Sequence, residues 1–531
     1  MPGAKGEPIL ETPGCSRSLE SANGSNGSES GRLTTLSSAR MVREASGGMK
    51  LGDILHPRVS RVAFLRLGVP IVSLLFASFA DRSSGMETSL RETLTAAYLT
   101  NPHIAGQRAL LRASNEQIAQ AKQNWFRPTL NATGGVEWNQ KKTGEGFDPA
   151  GAGTNAVAYE TQSTTPDVDI TLDFPIFRSG QTVYLIQVAE AGVDADQWDL
   201  VATEQDVLGQ AARSHAHVVL YRSHVAIAKR QVEAYEPLLA MSRDMYESRT
   251  ATITDMAQVE LELAQARANL ATYEGAADVA EAQYTAVVGR EPTELSPLPR
   301  LSPGIETLEA AEKRAIGHDP LIQSAESSLR RSESSVSERK TALLPTVGLS
   351  ASFQNSWEHY RVLDPRNYGS DTRDSRTGSV GLTASIPIYS GGVRYSYVRQ
   401  ALQEQVAAQQ NSLETRLVQL ATLRGLWYSR IAYERVVETY VGALGAAHTA
   451  VEGKMREYKN GTTTMQEVLL VQESLYNVLH ERASALFNLF STEVSLLQSF
   501  GTFTAAGFDL PVKRYDPEKY RREVDDKWIG W

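Results

Sequence analysis

The chain repeats itself at very long range, and this duplication constrains its fold more than any other feature. Asn101-Pro102 recurs as Asp319-Pro320, and Arg127-Pro128-Thr129-Leu130 as Leu344-Pro345-Thr346-Val347. Phe174-Pro175-Ile176-Phe177-Arg178-Ser179-Gly180 recurs as Ile386-Pro387-Ile388-Tyr389-Ser390-Gly391-Gly392. Tyr246 answers to Tyr458 and Gly289 to Gly501, so the offset stays at about 212 to 218 residues. A period of that length is a two-fold duplication, not a short-period solenoid.

Each copy reads as helix, strand, loop, strand, very long helix, turn, long helix. Residues 88–126 are Ala-rich, with apolar residues at three-four spacing, which predicts a helix stopped by Pro128. Period two then takes over. Leu130, Ala132, Val136 and Trp138 share one face. After a loop of about 28 residues, Val168, Ile170, Leu172, Phe174 and Ile176 share a face, against Asp167, Asp169, Thr171 and Asp173. The second copy gives Val347, Leu349, Ala351 and Phe353, then Val380, Leu382, Ala384, Ile386 and Ile388. Each strand is expected to run about ten residues, the length that crosses a bilayer at a tilt.

Aromatic residues bracket these strands. Trp138 and Trp357 fall on the loop side, and Trp125, Phe126, Phe177 and Tyr389 on the helix side. Two aromatic girdles around an apolar band mark an outer-membrane barrel. An antiparallel sheet on a soluble core also alternates, but it leaves the girdles unexplained. Four strands cannot close, and a bilayer tolerates no open sheet edge. Several chains must therefore share one barrel: two would give eight strands and three would give twelve.

Residues 181–247 carry almost no Gly or Pro apart from Gly192, Gly209 and Pro237. As one helix they would extend roughly 100 Å. Residues 392–459 repeat the pattern. Such helices bury their Ala, Leu and Val stripes against one another in coiled-coil fashion, and they project from the membrane. Pro237 is expected to kink or break its helix. The chain reverses after 250–254 and again after 460–464, making two hairpin tips.

The start of the chain predicts export. Residues 1–48 are rich in Ser and Gly, a disordered composition. Arg58, Arg61 and Arg66 then precede an apolar stretch from Leu67 to Ala80, with Ser78 and Ala80 where a signal peptidase cuts. Signal peptides usually begin near the initiator, so Met41 or Met49 is the expected start and 81–531 the mature chain. The stretch is too short to span a bilayer, and no later run of apolar residues is long enough. The one cysteine, Cys15, rules out a disulfide framework and a multi-thiolate metal site. With 53 basic against 62 acidic residues, the net charge is −9, which argues against a nucleic-acid partner.

Together the Asn-Pro and Arg-Pro-Thr-Leu helix–strand junctions, the Phe-Pro-Ile-Phe and Ile-Pro-Ile-Tyr-Ser-Gly-Gly strand exits and the two hairpin tips resemble the TolC-type outer-membrane factors. These are the exit ducts of type I secretion and tripartite efflux. The resemblance covers residues 85–505. The segments Asn101–Lys122 and Ala191–Val207 lean toward the secretion branch. The resemblance implies a homotrimer whose twelve strands, four per chain, form one barrel in outer-membrane lipid, continuous with a periplasmic α-helical tube. The tube ends in a gated aperture. That aperture meets a periplasmic adaptor (a membrane fusion protein), which sits on an inner-membrane ABC or RND transporter. No cofactor, metal or catalytic residue is implied.

The gate carries over residue by residue. Ile253-Thr254-Asp255 matches the family's first tip, so Asp255 resembles its gate aspartate. Tyr458 matches the gate tyrosine, and Gly461 the glycine after it. Thr463 stands where the family has a gate arginine, Glu467 where it has the outer acid of the aperture ring, and Leu470 where it has the second acid. Arg249, Thr250, Ala251, Thr252 and Ile253 on one tip, with Asn460, Gly461, Thr462, Thr463 and Thr464 on the other, are the expected adaptor-docking residues. Trp125, Trp138, Phe177, Trp357 and Tyr389 are the expected girdle. Three copies of Glu467 around a narrow pore would repel one another and attract cations. The missing arginine would loosen the closed state by removing a charge-assisted bond to Asp255.

Two other motifs carry less. Ser337-Glu338-Arg339-Lys340 fits S-x-x-K and Lys142-Thr143-Gly144 fits K-T-G, but in the wrong order for a serine acyl-enzyme. The first is placed in an amphipathic helix and the second in a surface loop. His215, His217 and His224 lack a metal-site pattern and read as packing or surface residues. No Gly-rich phosphate loop is present. The expected layout is a leader and signal peptide over 1–80, helices over 81–128, strands with an extracellular loop over 129–177, and long helices with a tip over 178–345. The second copy follows with strands and a loop over 346–389, helices and a tip over 390–505, and a tail over 506–531. A periplasmic coiled-coil scaffold without a pore is the rival reading.

Overall fold

A computed structural model describes residues 90–525 apart from 126, 144–158, 303 and 365–366, and also describes Lys527. The leader and signal segment with Met41, Met49 and Ala80, the residue Phe126, most of the first loop, and Trp531 lie outside the described residues. All described residues fall in one compact unit, Ile71–Trp531.

The two copies are built alike. Helices α1 (90–100) and α2 (Pro102–Ala121) lead into β1 (Thr129–Thr143) and β2 (Tyr159–Phe177). Helix α3 (Gln181–Glu247) then turns into α4 (Ile253–Val288). The second copy runs α5 (Leu308–His318), α6 (Pro320–Thr341), β3 (Thr346–Asp364), β4 (Asn367–Ser385), α7 (Val393–Lys459) and α8 (Met465–Ser499). A short helix, α9 (Pro517–Val524), follows. The single helix expected over 88–126 is two, because Asn101 and Pro102 break it. The Asn101 side chain accepts the His103 N–H at 2.9 Å, and Asp319 caps α6 in the same way from the Leu321 N–H at 2.9 Å. Each cap has proline at the first helical position, where its missing N–H costs nothing.

Helices α3 and α7 are each 67 residues long, roughly 100 Å. Pro237 does not break α3, which runs continuously past it. Ala and Val dominate the seam: Val207, Leu208, Ala211, Ala212 and Ala216 of α3 pack with Leu94, Tyr284, Phe490 and Val494. Among the described residues no helix is long and apolar enough to cross a membrane.

The four strands form one antiparallel sheet in the order β1-β2-β3-β4. Its register puts the apolar positions of every strand on a single face. Leu130 pairs with Leu172, Leu172 with Ala351, and Ala351 with Val380. The opposite face carries Asp167, Asp169 and Asp173 against Ser356, Gln354 and Ser350. A bulge at Pro175/Phe177 lets Ile176 slip and sets Phe177, not Ile176, opposite Val347. Proline cannot donate to the ladder there. Ile386 and Ile388 lie beyond the end of β4.

The strands are longer than the expected ten residues, at 15, 19, 19 and 19. In the second copy the expected loop is largely ladder, with Asp364 paired to Asn367. Trp138 and Trp357 therefore lie inside strands. Trp138 pairs with Thr164 and Thr164 with His359, so the two tryptophans stand near one level across the sheet. From Val347 to Trp357, ten residues at 3.3 Å and a 40° tilt give about 25 Å, the height of an outer-membrane apolar band. Beyond the tryptophans the ladder turns polar, with Glu358 opposite Arg373 and Tyr360 opposite Asp371. The extra length is paired hairpin beyond the tryptophans.

Candidate gate and membrane belt

The aromatic residues expected to form the girdle are open in the single chain. Trp125, Trp138, Phe177, Trp357 and Tyr389 are all exposed, as are Leu130, Val136, Val380 and Leu382 on the apolar face. A soluble sheet would cover that face. Trp125, Phe177 and Tyr389 sit at the helix end of the sheet and Trp138 and Trp357 ten or so residues up it. Among the described residues the two sheet edges, β1 and β4, have no partner strand.

At the opposite end the two tips share a backbone plan. Helix α3 ends with the Thr250 N–H on the Met245 carbonyl at 2.9 Å, and α7 with the Thr462 N–H on the Glu457 carbonyl at 3.0 Å. Both are Schellman-type closures, which need a left-handed residue. In the second tip that residue is Gly461, φ 72°, and in the first it is Arg249, φ 61°. Thr252 and Thr464 then cap the return helices.

Asp255 and Glu467 occupy the same position in the two copies, the third residue of the return helix, and they differ in what they hold. Asp255 completes a capping box. Its Oδ2 accepts the Thr252 N–H at 3.0 Å and hydroxyl at 2.8 Å, while Thr252 Oγ1 accepts the Asp255 N–H at 3.2 Å. Glu467 instead is exposed and bonds side chains outside its own cap. Its Oε2 accepts from Lys454 Nζ at 2.7 Å and Thr463 Oγ1 at 2.8 Å. The Lys454 ammonium, then the Thr463 hydroxyl, hold the Glu467 carboxyl below its usual range, and Glu467 and Glu457 raise Lys454. Thr463, standing where the arginine was expected, thus grips Glu467.

Tyr458 is buried between the tips, among Tyr235, Leu238, Val259, Met465 and Val468. Its hydroxyl donates to Met245 Sδ at 3.3 Å. Burial, then the nearby Asp255 charge, push the Tyr458 phenol above its usual range. Its counterpart Tyr246 is exposed. Asp255, Tyr458 and the first tip therefore converge, while Glu467 pairs with Lys454. Leu470 is exposed on the same return helix.

Sequence reasoning missed Lys454, Met245 and the equivalence of Asp255 with Glu467. Applying the 212-residue offset of Tyr246 and Tyr458 to the acids would have found the last. Lys454 is thirteen positions before Glu467, across a hairpin, and no sequence rule pairs them. The Lys142–Thr143 pair lies in β1 and not in a loop. Ser337 donates to the Glu333 carbonyl at 3.3 Å on α6. The histidines pack. His215 is buried against Thr93 Oγ1 at 3.1 Å, and burial holds its imidazole down to about 4. His217 packs on Phe487, and His224 on His480 and Tyr273. Among the described residues no set of three His, Cys, Asp or Glu is placed to hold a metal.

The family model described as outer membrane efflux protein matches residues 93–290 and 312–502. Outer membrane efflux protein BepC of Brucella suis biovar 1 (strain 1330) is 30% identical over 451 residues, covering 84% of this chain and 93% of BepC. Outer membrane protein TolC of Escherichia coli (strain K12) is 24% identical, covering 81% of this chain and 85% of TolC. Among solved structures, the outer-membrane channel OprN aligns with a TM-score of 0.65 at 17% identity, over 79% of this chain and 92% of OprN.

Proposed function

Because this chain belongs to the outer membrane efflux protein family, we propose that it is the passive outer-membrane exit duct of a tripartite type I secretion or efflux system. Three copies share one twelve-stranded barrel, and their long helices continue it as a tube across the periplasm. The observation that carries the reading is the sheet. It has an apolar face about 25 Å tall, which is unstable in water, and two edges unpaired among the described residues, which are unstable in a bilayer. Closing β4 of one copy on β1 of the next satisfies both edges. The exposed stripe Leu402, Val406, Leu413 and Leu417 on α7 supports a neighbouring copy along the tube as well. A pore-less scaffold would leave the apolar sheet face in water.

The tips form the gate. Tyr458 joins the two hairpins of one copy through Met245 while Asp255 braces the first tip, and Glu467 lines the aperture with its charge partly offset by Lys454. The residues 249–253 and 460–464 receive a periplasmic adaptor, which opens the tube by drawing the tips apart. An ABC or RND transporter in the inner membrane supplies the energy. Loss of the arginine at Thr463 makes the resting aperture looser than in relatives that keep it.

Planar-bilayer conductance of the detergent-purified protein tests the duct, with Asp255→Ala and Glu467→Ala beside it. Stepwise cation-selective currents that grow or lose selectivity in the variants are expected. Currents unchanged by both substitutions would discard the gate and keep the duct. No current from membrane-extracted protein would discard the duct.

A further inference from the structure

Residues 248–252 make the chain reversal of the first tip and residues 460–464 that of the second. Most of these ten residues carry a hydroxyl, and each hydroxyl is engaged within its own tip. Those of Ser248 and Thr250 donate to the Asp244 and Met245 carbonyls, and that of Thr462 to the Glu457 carbonyl. Thr252 bonds Asp255, Thr463 bonds Glu467, and Thr464 accepts the Glu467 N–H. Ala251 and Gly461 have no polar side chain to offer. What remains for a partner is the Asn460 amide and the Arg249 guanidinium, both exposed. Arg249 is the only charged residue of the ten. Among the described residues its guanidinium meets no carboxylate, hydrogen-bond acceptor or ring, and the exposed acids before it on α3, Asp244 and Glu247, do not pair with it.

The duplication supplies an internal comparison. Arg249 holds φ 61°, the left-handed conformation that its counterpart Gly461 adopts at φ 72° with no Cβ to clash. Reversing the chain needs only glycine there, as the second tip demonstrates. The first tip instead accepts an unfavourable backbone and displays a free cation, and strain of this kind gathers at sites of recognition. The same contrast recurs at the start of the return helices. Ile253 is 60% exposed, whereas its counterpart Met465 is buried. The first tip therefore presents a cation and an apolar side chain where the second presents neither.

We propose that the first tip is the recognition tip for the periplasmic partner, which meets it with an acidic segment. Arg249 takes an aspartate or glutamate of that segment, and Ile253 packs on an apolar side chain beside the acid. The proposal rests on the duct reading above and adds the partner's chemistry to it. A guanidinium receives a carboxylate through two parallel N–H···O bonds, which fixes orientation as well as charge. With one such site per copy, a partner distinguishes the two tips although they share a backbone plan.

The test uses the full chain in its native host, with photoreactive benzoylphenylalanine replacing Ala251, alone and combined with Arg249→Lys, Arg249→Gly or Arg249→Glu. Illumination should join the chain to a periplasmic protein through a segment that carries an acid beside an apolar residue. Losing one charge-assisted contact should lower the adduct about tenfold in Arg249→Gly. Arg249→Glu should lower it further, and Arg249→Lys should keep more of it than Arg249→Gly. Because glycine also suits the left-handed backbone, loss in that variant is not a folding defect. Exchanging the partner's acid for arginine should restore the adduct of Arg249→Glu. Equal adducts in Arg249→Gly and wild type, no adduct in wild type, or an adduct to a second copy of this chain overturns the proposal. Bilayer currents of the same variants should match wild type. An absent wild-type current overturns the duct and this proposal with it, whereas normal currents with charge-independent adducts overturn this proposal alone.

Discussion

The histidine pair midway down the helices makes a prediction that can be worked from the structure. His224 of α3 and His480 of α8 face one another with their Nδ1 atoms 2.7 Å apart. Tyr273 of α4 stacks on both rings, at 5.1 and 4.8 Å, and Tyr221 packs edge-on to His224. Only one proton fits between the two nitrogens, so the second ring must stay neutral. Burial first, then His480, hold the His224 imidazole down to about 4, and burial lowers His480 too. A folded-state pKa below the unfolded value means that the unfolded chain takes up protons first. The contribution is therefore complete above pH 6.5 and is lost as pH falls toward 4. For His224 alone the full shift corresponds to about 2 kcal/mol lost by pH 5, and discounting for residual solvent leaves about 1 kcal/mol per chain. Thermal unfolding of the detergent-solubilised protein at pH 7.5 and pH 5.0 reads this out. The comparison with a His224→Phe/His480→Leu variant is needed because the buried carboxyls of Glu204, Glu493 and Asp319, raised by burial, titrate with the opposite sign. The variant should lose a few degrees less than wild type on acidification. Equal losses in the two proteins would refute the reasoning.

Other substitutions test the tips and the caps. Arg249→Gly should stabilise by about 1 kcal/mol, because it removes a side chain from a left-handed position, and Gly461→Ala should destabilise by about as much; chemical denaturation of each against wild type decides. Gly501 has φ 69°, and a Cβ there would run into the His318 carbonyl, so Gly501→Ala should cost more than 2 kcal/mol and sharply lower the yield of folded protein. Lys454→Met should free the Glu467 carboxylate and raise the cation preference of the resting current in bilayers. An unchanged reversal potential would show that Glu467 does not face the ion path.

Much of this architecture was legible because the duplication states it twice. Proline and glycine placed the junctions, and period two named the apolar face of all four strands, which the register follows except at Ile176, which slips at the bulge, and at Ile386 and Ile388, which lie beyond β4. What was hidden is local. The ends of β3 and β4 carry polar residues on both faces, so nothing in the alternation marks where the membrane stops and the hairpin continues. Pro237 reads as a break, but lateral packing of α3 against α4 and α8 outweighs one missing hydrogen bond. At the tips, sequence placed Asp255, Tyr458 and Glu467, yet the partners Met245 and Lys454 come from across hairpins, where no spacing rule reaches.

The two tips share a backbone plan and differ in where the charge of the third helical residue goes. Both copies keep the Schellman closure, the threonine cap and an acid at the third helical position, because those features set the reversal of the chain. In the first tip the acid is consumed by the cap, its carboxylate reaching back to the Thr252 N–H. In the second the longer glutamate reaches past the cap to Lys454, and the cap keeps only the threonine's half of the exchange. One acid is thus structural, and the other has its charge set by Lys454 on the preceding helix. Glu467→Asp should therefore restore a full capping box, release Lys454, and leave the tip fold intact. Its crystal structure would show the carboxylate on the Thr464 N–H, whereas a retained Lys454 bond would mean that the lysine, and not side-chain length, decides where the acid points.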